Sequence, residues 1–436
     1  MTLGEAAEAA AAAAASPSPT VTPAGSLRNR EYRGIALAQV TSECGDQIAA
    51  IALSYLVYSR TGSPFYAAAT YAVTYLPWVL GSVLLSPLVD RLPRRRVMLV
   101  CDLARAGTAA LLVLLTMVKG MPIGVLIGVV LVSSFFAPPF AAARGAMIPD
   151  IFENGPGYVA AVATGRILQQ VDQVFGFALG GLIVAVVSPR GALAIDCATF
   201  LLSYVLILFQ VQERPVATVG PRPRLRSLLA DFRPDLALVL SSNVRRSLLV
   251  LSAASLLFLI APESLAIAYA RQHGHGALAA GLLTAAQPCG VALGAWLFIT
   301  YVPARLQGEW LLPLVACAAG TLVLTALVPP IWLACLLWMV GGMLQCFLVT
   351  TIAAYNIVTD RSLRGRANGV AAAAISISQG LGFLLWGAVG SWRGAAAAIA
   401  WAGVTGLLIV ALVRFWWPHG QIDNAWAQLD AAQHNG

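Results

Sequence analysis

Hydrophobic residues in this chain come in long runs, and polar residues collect between the runs. Twelve apolar stretches can be traced, at about 34–58, 65–88, 97–118, 122–143, 158–187, 191–211, 247–270, 277–301, 310–328, 331–357, 368–391 and 395–417. Each is close to the roughly 20 residues that a helix needs to cross a hydrocarbon core. A helix satisfies its backbone hydrogen bonds internally, so it is the form such a run takes in lipid. The pattern predicts an all-α membrane protein of twelve transmembrane helices. The longest polar interval divides them into two six-helix halves: an N-terminal bundle over 31–211, a linker over 212–245 and a C-terminal bundle over 246–417. Residues 1–30 are Ala-rich and lack the basic start of a signal peptide, so they read as a disordered cytoplasmic tail. Residues 418–436 read as a second cytoplasmic tail.

Composition agrees: 59% of the residues are hydrophobic and only 11% charged, far too apolar for a soluble domain. The net charge of +8 does not point to nucleic acid, because the arginines sit in loops between apolar runs and build no compact basic domain. With the N-terminus inside, twenty arginines fall on the cytoplasmic side and five basic residues (Arg60, Lys119, Arg190, Arg271, Arg393) outside. The positive-inside rule then predicts a multi-pass protein of the inner or plasma membrane with both termini cytoplasmic. Linker residues Arg214, Arg222, Arg224, Arg226, Arg233, Arg245 and Arg246 suit the anionic headgroups of the inner leaflet. Lys119 is the only lysine and lacks a Gly-rich frame, so no phosphate-binding loop exists and any work must come from an ion or substrate gradient. The seven cysteines lie inside predicted spans and read as small packing residues. His273 and His275 read as a solvated loop pair. No metal, cofactor or enzymatic constellation is expected.

Charges inside spans are costly and face a partner or a cavity. Gln39, Glu43, Asp46, Gln47 and Ser54 of span 1 fall within an arc of about 100° at helical spacing. Arg166, Gln169, Gln170 and Gln173 make a similar stripe on span 5, with Asp172 to one side. Glu43 and Arg166 lie at similar depth, so their charges are expected to meet if the faces oppose, either as a structural ion pair or as a proton or substrate site. In the second half Glu263 is the one acid inside a span, just after Pro262, and Gln345 shares a face of span 10 with Asn356. Asp196 in span 6 reads as structural. Pro138-Pro139 is expected to break span 4. Trp310, Trp392, Trp416 and Trp417 read as interface anchors.

The stretch Ser86-Pro87-Leu88-Val89-Asp90-Arg91-Leu92-Pro93-Arg94-Arg95-Arg96 reads in itself as a cytoplasmic turn between two spans. It resembles the G-x-x-x-D-R-x-G-R-R-x signature of the major facilitator superfamily, with Ser86 and Pro93 at the two Gly positions. Asp102 and Arg105 follow as the extended motif has them. Ser42-x-x-Gly45-Asp46, Ala52–Tyr58 and Arg144-x-x-x-Ile148-Pro149-Asp150 resemble segments of its enterobactin-exporter and macrolide-efflux-like branch, and Gly176-Phe177-Ala178-Leu179-Gly180-Gly181 resembles the Gly-rich antiporter motif of span 5, with Ala178 at the usual Pro position. The resemblance implies a gate in which Asp90, Arg91, Arg94, Arg95, Arg96, Asp102 and Arg105 take part, Asp90 facing the start of span 11. It implies a secondary transporter exporting a small organic molecule, a drug-like compound or siderophore, against protons. An importer or uniporter of the same build, or a sensor or scaffold on the same fold, remains open at this point. Candidates for coupling or substrate contact are Glu43, Asp46, Arg166, Gln169, Asp172, Gln173, Glu263 and Gln345.

Overall fold

A computed structural model describes residues 23–84, 92–152, 156–214, 234–360, 362–418 and 420. Asp90, Arg91 and the linker residues Arg222, Arg224, Arg226 and Arg233 lie outside them. After a helical turn at Pro23–Ser26, the helices are α1 (Arg30–Thr61), α2 (Pro64–Leu84), α3 (Arg94–Met117), α4 (Ile123–Ser134), α5 (Ala137–Phe152), α6 (Pro156–Val186) and α7 (Pro189–Gln210). Beyond the linker follow α8 (Asn243–Leu259), α9 (Ala261–Gln272), α10 (Ala277–Tyr301), α11 (Ala304–Leu324), α12 (Ile331–Leu344), α13 (Phe347–Ile357), α14 (Arg364–Arg393) and α15 (Ala395–Phe415). Every longer element is helical, as the apolar runs predict. Among the described residues ten stretches are long and apolar enough to cross a membrane; α4–α5, α8–α9 and α12–α13 each count once. α1, which carries the polar stripe, and α2 are not among those ten.

The helix ends follow local chemistry. Asn29 caps α1, its Oδ1 accepting from the backbone N–H groups of Glu31 (2.9 Å) and Tyr32 (3.1 Å), and Gly62 ends it at φ 65°. The break between α4 and α5 falls at Phe135–Phe136, and Pro138 and Pro139 occupy the first turn of α5. A missing N–H costs nothing in a first turn, so the prolines start the new helix after ending the old one. Pro262 does the same for α9 after the break at Ile260. A third break, at Gln345–Cys346, has no proline.

The helices run alternately between two ends, here the near end, where α1 begins, and the far end. α1 lies between α6 and α7, α3 packs along α7, α10 lies between α6 and α12, and α11 packs along α15. α2 against α14 and α6 against α10 join the helices before the linker to those after it. Among the described residues, the closest backbone approach in these joints lies toward the far end. A Cβ on Gly181 would sit 2.7 Å from the Cα of Gly281, and one on Gly281 would sit 2.6 Å from the Cα of Gly181, so the α6 and α10 backbones touch where only glycine fits. Ser391 Oγ of α14 accepts from the N–H of Phe65 (3.0 Å), and Arg271 donates to the Tyr55 hydroxyl (3.4 Å).

The near end carries a belt of ion pairs. Arg94 pairs with Asp150 and donates to the Ala146 carbonyl (2.7 Å), Arg96 pairs with Glu213 (2.7 Å), and Arg95 donates to the Leu208 carbonyl (2.5 Å). Glu31 takes both arms of Arg214, at 2.6 and 2.8 Å, and this hydrogen bonding holds the guanidinium proton more tightly than in a free arginine. Of the four tryptophans expected at interfaces, Trp310, Trp392 and Trp416 are at least half exposed. Trp417 is instead buried against the core, since the chain turns inward after α15.

Candidate functional site

A cavity of about 460 Å³ lies between the two groups of helices, walled by α1 to α7, α9 and α14. Its polar side is built on α1. Glu43 and Asp46 are three residues apart, so their carboxylates share a face near the middle of a 32-residue helix. Each is met by an arginine from a different neighbour. Arg144 of α5 donates to Glu43 (2.6 Å). Arg105 of α3 grips both carboxylate oxygens of Asp46, donates to Ser42 Oγ (3.3 Å) and lies over the Phe200 ring, 4.3 Å from its centroid. Only 7% of the Arg105 side chain is exposed, against 37% for Asp46, so the acid opens to the cavity and the arginine stands behind it.

Two more acids converge on Arg105. Asp196 of α7 and Asp102 of α3 are both buried and within electrostatic reach of its guanidinium, and Asp102 accepts from Ser203 (2.6 Å). Gly45 makes the approach of α7 possible: a Cβ there would sit 2.0 Å from Thr199 Oγ1 and 2.8 Å from Asp196 Oδ1. Beside the other pair, Asp172 of α6 is 2% exposed and lies within reach of Glu43 and Arg144. Its Oδ2, like Oδ1 of Asp102 and of Asp196, has no hydrogen-bond partner among the described residues. Gln169 and Gln173 also line the cavity, and Glu263 enters it from the first turn of α9.

Several expectations change. Arg166 does not meet Glu43. Gln39 reaches from α1 to the Gly165 carbonyl (3.3 Å), so Gly165 faces α1, and one helical step of about 100° turns Arg166 outward, where it is exposed and donates to Gln169 (3.3 Å). Arg144, expected in a loop, lies within α5, because that helix runs on to Phe152. Arg105, grouped with the gating arginines by the motif, lies three turns beyond them along α3, about 16 Å, and points at Asp46. Asp196, read as structural, lines the cavity. Gln345 is buried at the break between α12 and α13 and is not among the lining residues. The aromatic wall of Tyr71, Tyr75, Trp78 and Phe177 carried no signal in sequence beyond ordinary apolar runs.

Comparison with known proteins agrees with this architecture. The model of the transmembrane secretion effector family matches residues 21–433. The multidrug efflux pump Tap of Mycobacterium tuberculosis is 26% identical over 227 residues, 49% of this chain and 52% of Tap. The MFS-type transporter YkuC of Bacillus subtilis is 22% identical over 231 residues, 51% of this chain and 53% of YkuC. The chain thus spans about half the length of these relatives. Among solved structures, a mutant form of the nucleoside transporter NupG superposes with a TM-score of 0.72 at 13% identity, covering 88% of this chain and 99% of NupG. A bacterial homologue of the lysosomal transporter Spinster, in an inward-facing and unoccupied conformation, superposes at 0.65 and 15% identity, covering 91% and 98%. These show a shared fold.

Proposed function

Because the chain belongs to the transmembrane secretion effector family of major facilitator transporters, we propose that it exports small organic molecules by alternating access, driven by proton entry. One observation carries the coupling: four carboxylates (Glu43, Asp46, Asp172, Asp196) face two guanidiniums (Arg105, Arg144) around one cavity. Ionised acids in excess of their counter-charges are expensive away from water, and a proton taken up by the set removes that excess. The arrangement also offers a switch. A proton on Asp46 weakens its grip on Arg105, which has Asp102 and Asp196 as alternative partners. The same event at Glu43 frees Arg144 toward Asp172.

The state described has its tight joints at the far end. With the arginine-rich near end in the cytoplasm, as the positive-inside rule has it, this cavity loads from the cytoplasmic side. Opening the far end then discharges substrate and admits protons, and the return step carries protons in. Relatives named as multidrug efflux pumps support export.

The test is flux in reconstituted vesicles with and without an imposed pH gradient. Glu43→Gln and Asp46→Asn are expected to abolish pH-driven flux while leaving substrate exchange measurable. Well-folded variants with full pH-driven flux would refute the coupling role.

A further inference from the structure

Of the cavity carboxylates on helical spans, Glu43 and Asp46 already hold arginines, while Asp172 and Asp196 are buried within reach of those arginines. Glu263 differs. Among the described residues it takes part in none of the ion pairs. It sits in the first turn of α9, directly after the break at Ile260, and lines the cavity. Within its electrostatic reach stand Tyr71 and Tyr75 of α2, a helix that packs against α9. Both pack on Phe383 of α14, Tyr71 stacked at 5.1 Å and Tyr75 tilted at 5.5 Å. Trp78, one turn further along α2, lines the same wall.

The geometry points to Glu263 with Tyr71, Tyr75 and Trp78 as the subsite for the positive charge of a lipophilic organic monocation. This rests on the cavity being the substrate site. A carboxylate without a protein counter-charge attracts a cation, and electron-rich ring faces hold a diffuse one whose hydration is weak. A volume of about 460 Å³ admits a molecule of several rings. The work is thereby divided: the arginine-paired acids of α1 handle protons, and the unpaired acid of α9 handles cargo. The subsite is also split between the two helix groups, with the rings before the linker and the acid after it, so a bound cation spans the joint that alternating access must open.

The test uses equilibrium dialysis of the purified full chain, without any gradient, against tetraphenylphosphonium, its anionic analogue tetraphenylborate and the neutral triphenylphosphine oxide. The wild type is expected to bind the cation at least tenfold more tightly than the neutral probe, and the anion least. Glu263→Gln is expected to erase the preference for charge, Glu263→Asp to keep most of it, and Tyr75→Leu to weaken cation and neutral probe alike. Equal affinity of the wild type for cation and neutral probe overturns the subsite, as does undiminished cation preference in Glu263→Gln. The first of these stands even if the glutamine variant does not fold. Binding needs no proton gradient, so failure of pH-driven flux with intact charge preference overturns the coupling proposal alone.

Discussion

Arg105 carries more than one duty. It grips Asp46, touches Ser42 and stands within reach of Asp102 and Asp196 while nearly all of it is buried. Removing one partner of a buried pair costs about 3–5 kcal/mol, because the charge left behind has no compensation. Arg105→Ala is therefore expected to unfold at a clearly lower temperature in detergent, and Arg105→Lys to recover part of the loss. A melting temperature equal to the wild type's would show that the three acids hold no net charge to be compensated. That α1 turns Glu43 and Asp46 to the interior was legible, because an arc of polar residues on one helix is a property of local spacing. Their partners were not. Arg144 and Arg105 are chosen by which helices become neighbours, and Arg166, at similar depth on a true neighbour, is excluded by a single step of helix rotation. The aromatic wall was invisible for a different reason: Tyr71 and Tyr75 in an apolar run look alike whether they face lipid, core or cavity.

Of the contacts that join the helices before the linker to those after it, that of α6 with α10 is the most demanding sterically. Its backbones meet at Gly181 and Gly281 near the far end, and any side chain there must push them apart. Gly281→Leu is expected to hold the far end open. Spin labels at Val186 and Leu278, both exposed, introduced as cysteines into a cysteine-free background, should report a longer distance in this variant than in its parent. An unchanged distance would place the hinge of closure elsewhere. The helix breaks divide by cause. Pro138-Pro139 announced its own, since proline cannot continue the hydrogen-bond ladder. The break at Gln345–Cys346 follows Gly341-Gly342, where α12 lies so close to α10 that a Cβ on Gly342 would sit 2.1 Å from the Gln287 carbonyl. That closeness is a tertiary fact with no local signature.

For the molecule as a whole, sidedness can be read chemically. Lys119 is the only lysine, and it is exposed in the turn after α3, at the far end. If the near end is cytoplasmic, a membrane-impermeant amine reagent applied to intact cells should label the wild type and not Lys119→Arg. Labelling that persists in the variant would place the N-terminal amine outside and reverse the assignment. The two joined groups also differ in what binds them. Within each, charges are paired: Arg94 with Asp150, Arg214 with Glu31, Arg366 with Asp235. Between them, among the described residues, the far-end joint consists of glycine backbones, stacked rings and neutral or single-charge hydrogen bonds, and no ion pair crosses it. Parting a salt bridge requires water to reach both charges before they separate, which raises the barrier to movement. Parting two apolar faces in a bilayer requires only that lipid or cargo follow them. On the proposed alternating-access reading, the rate of that opening is expected to follow shape and lateral pressure in the membrane and to be nearly indifferent to ionic strength, leaving the charges to decide direction and not speed.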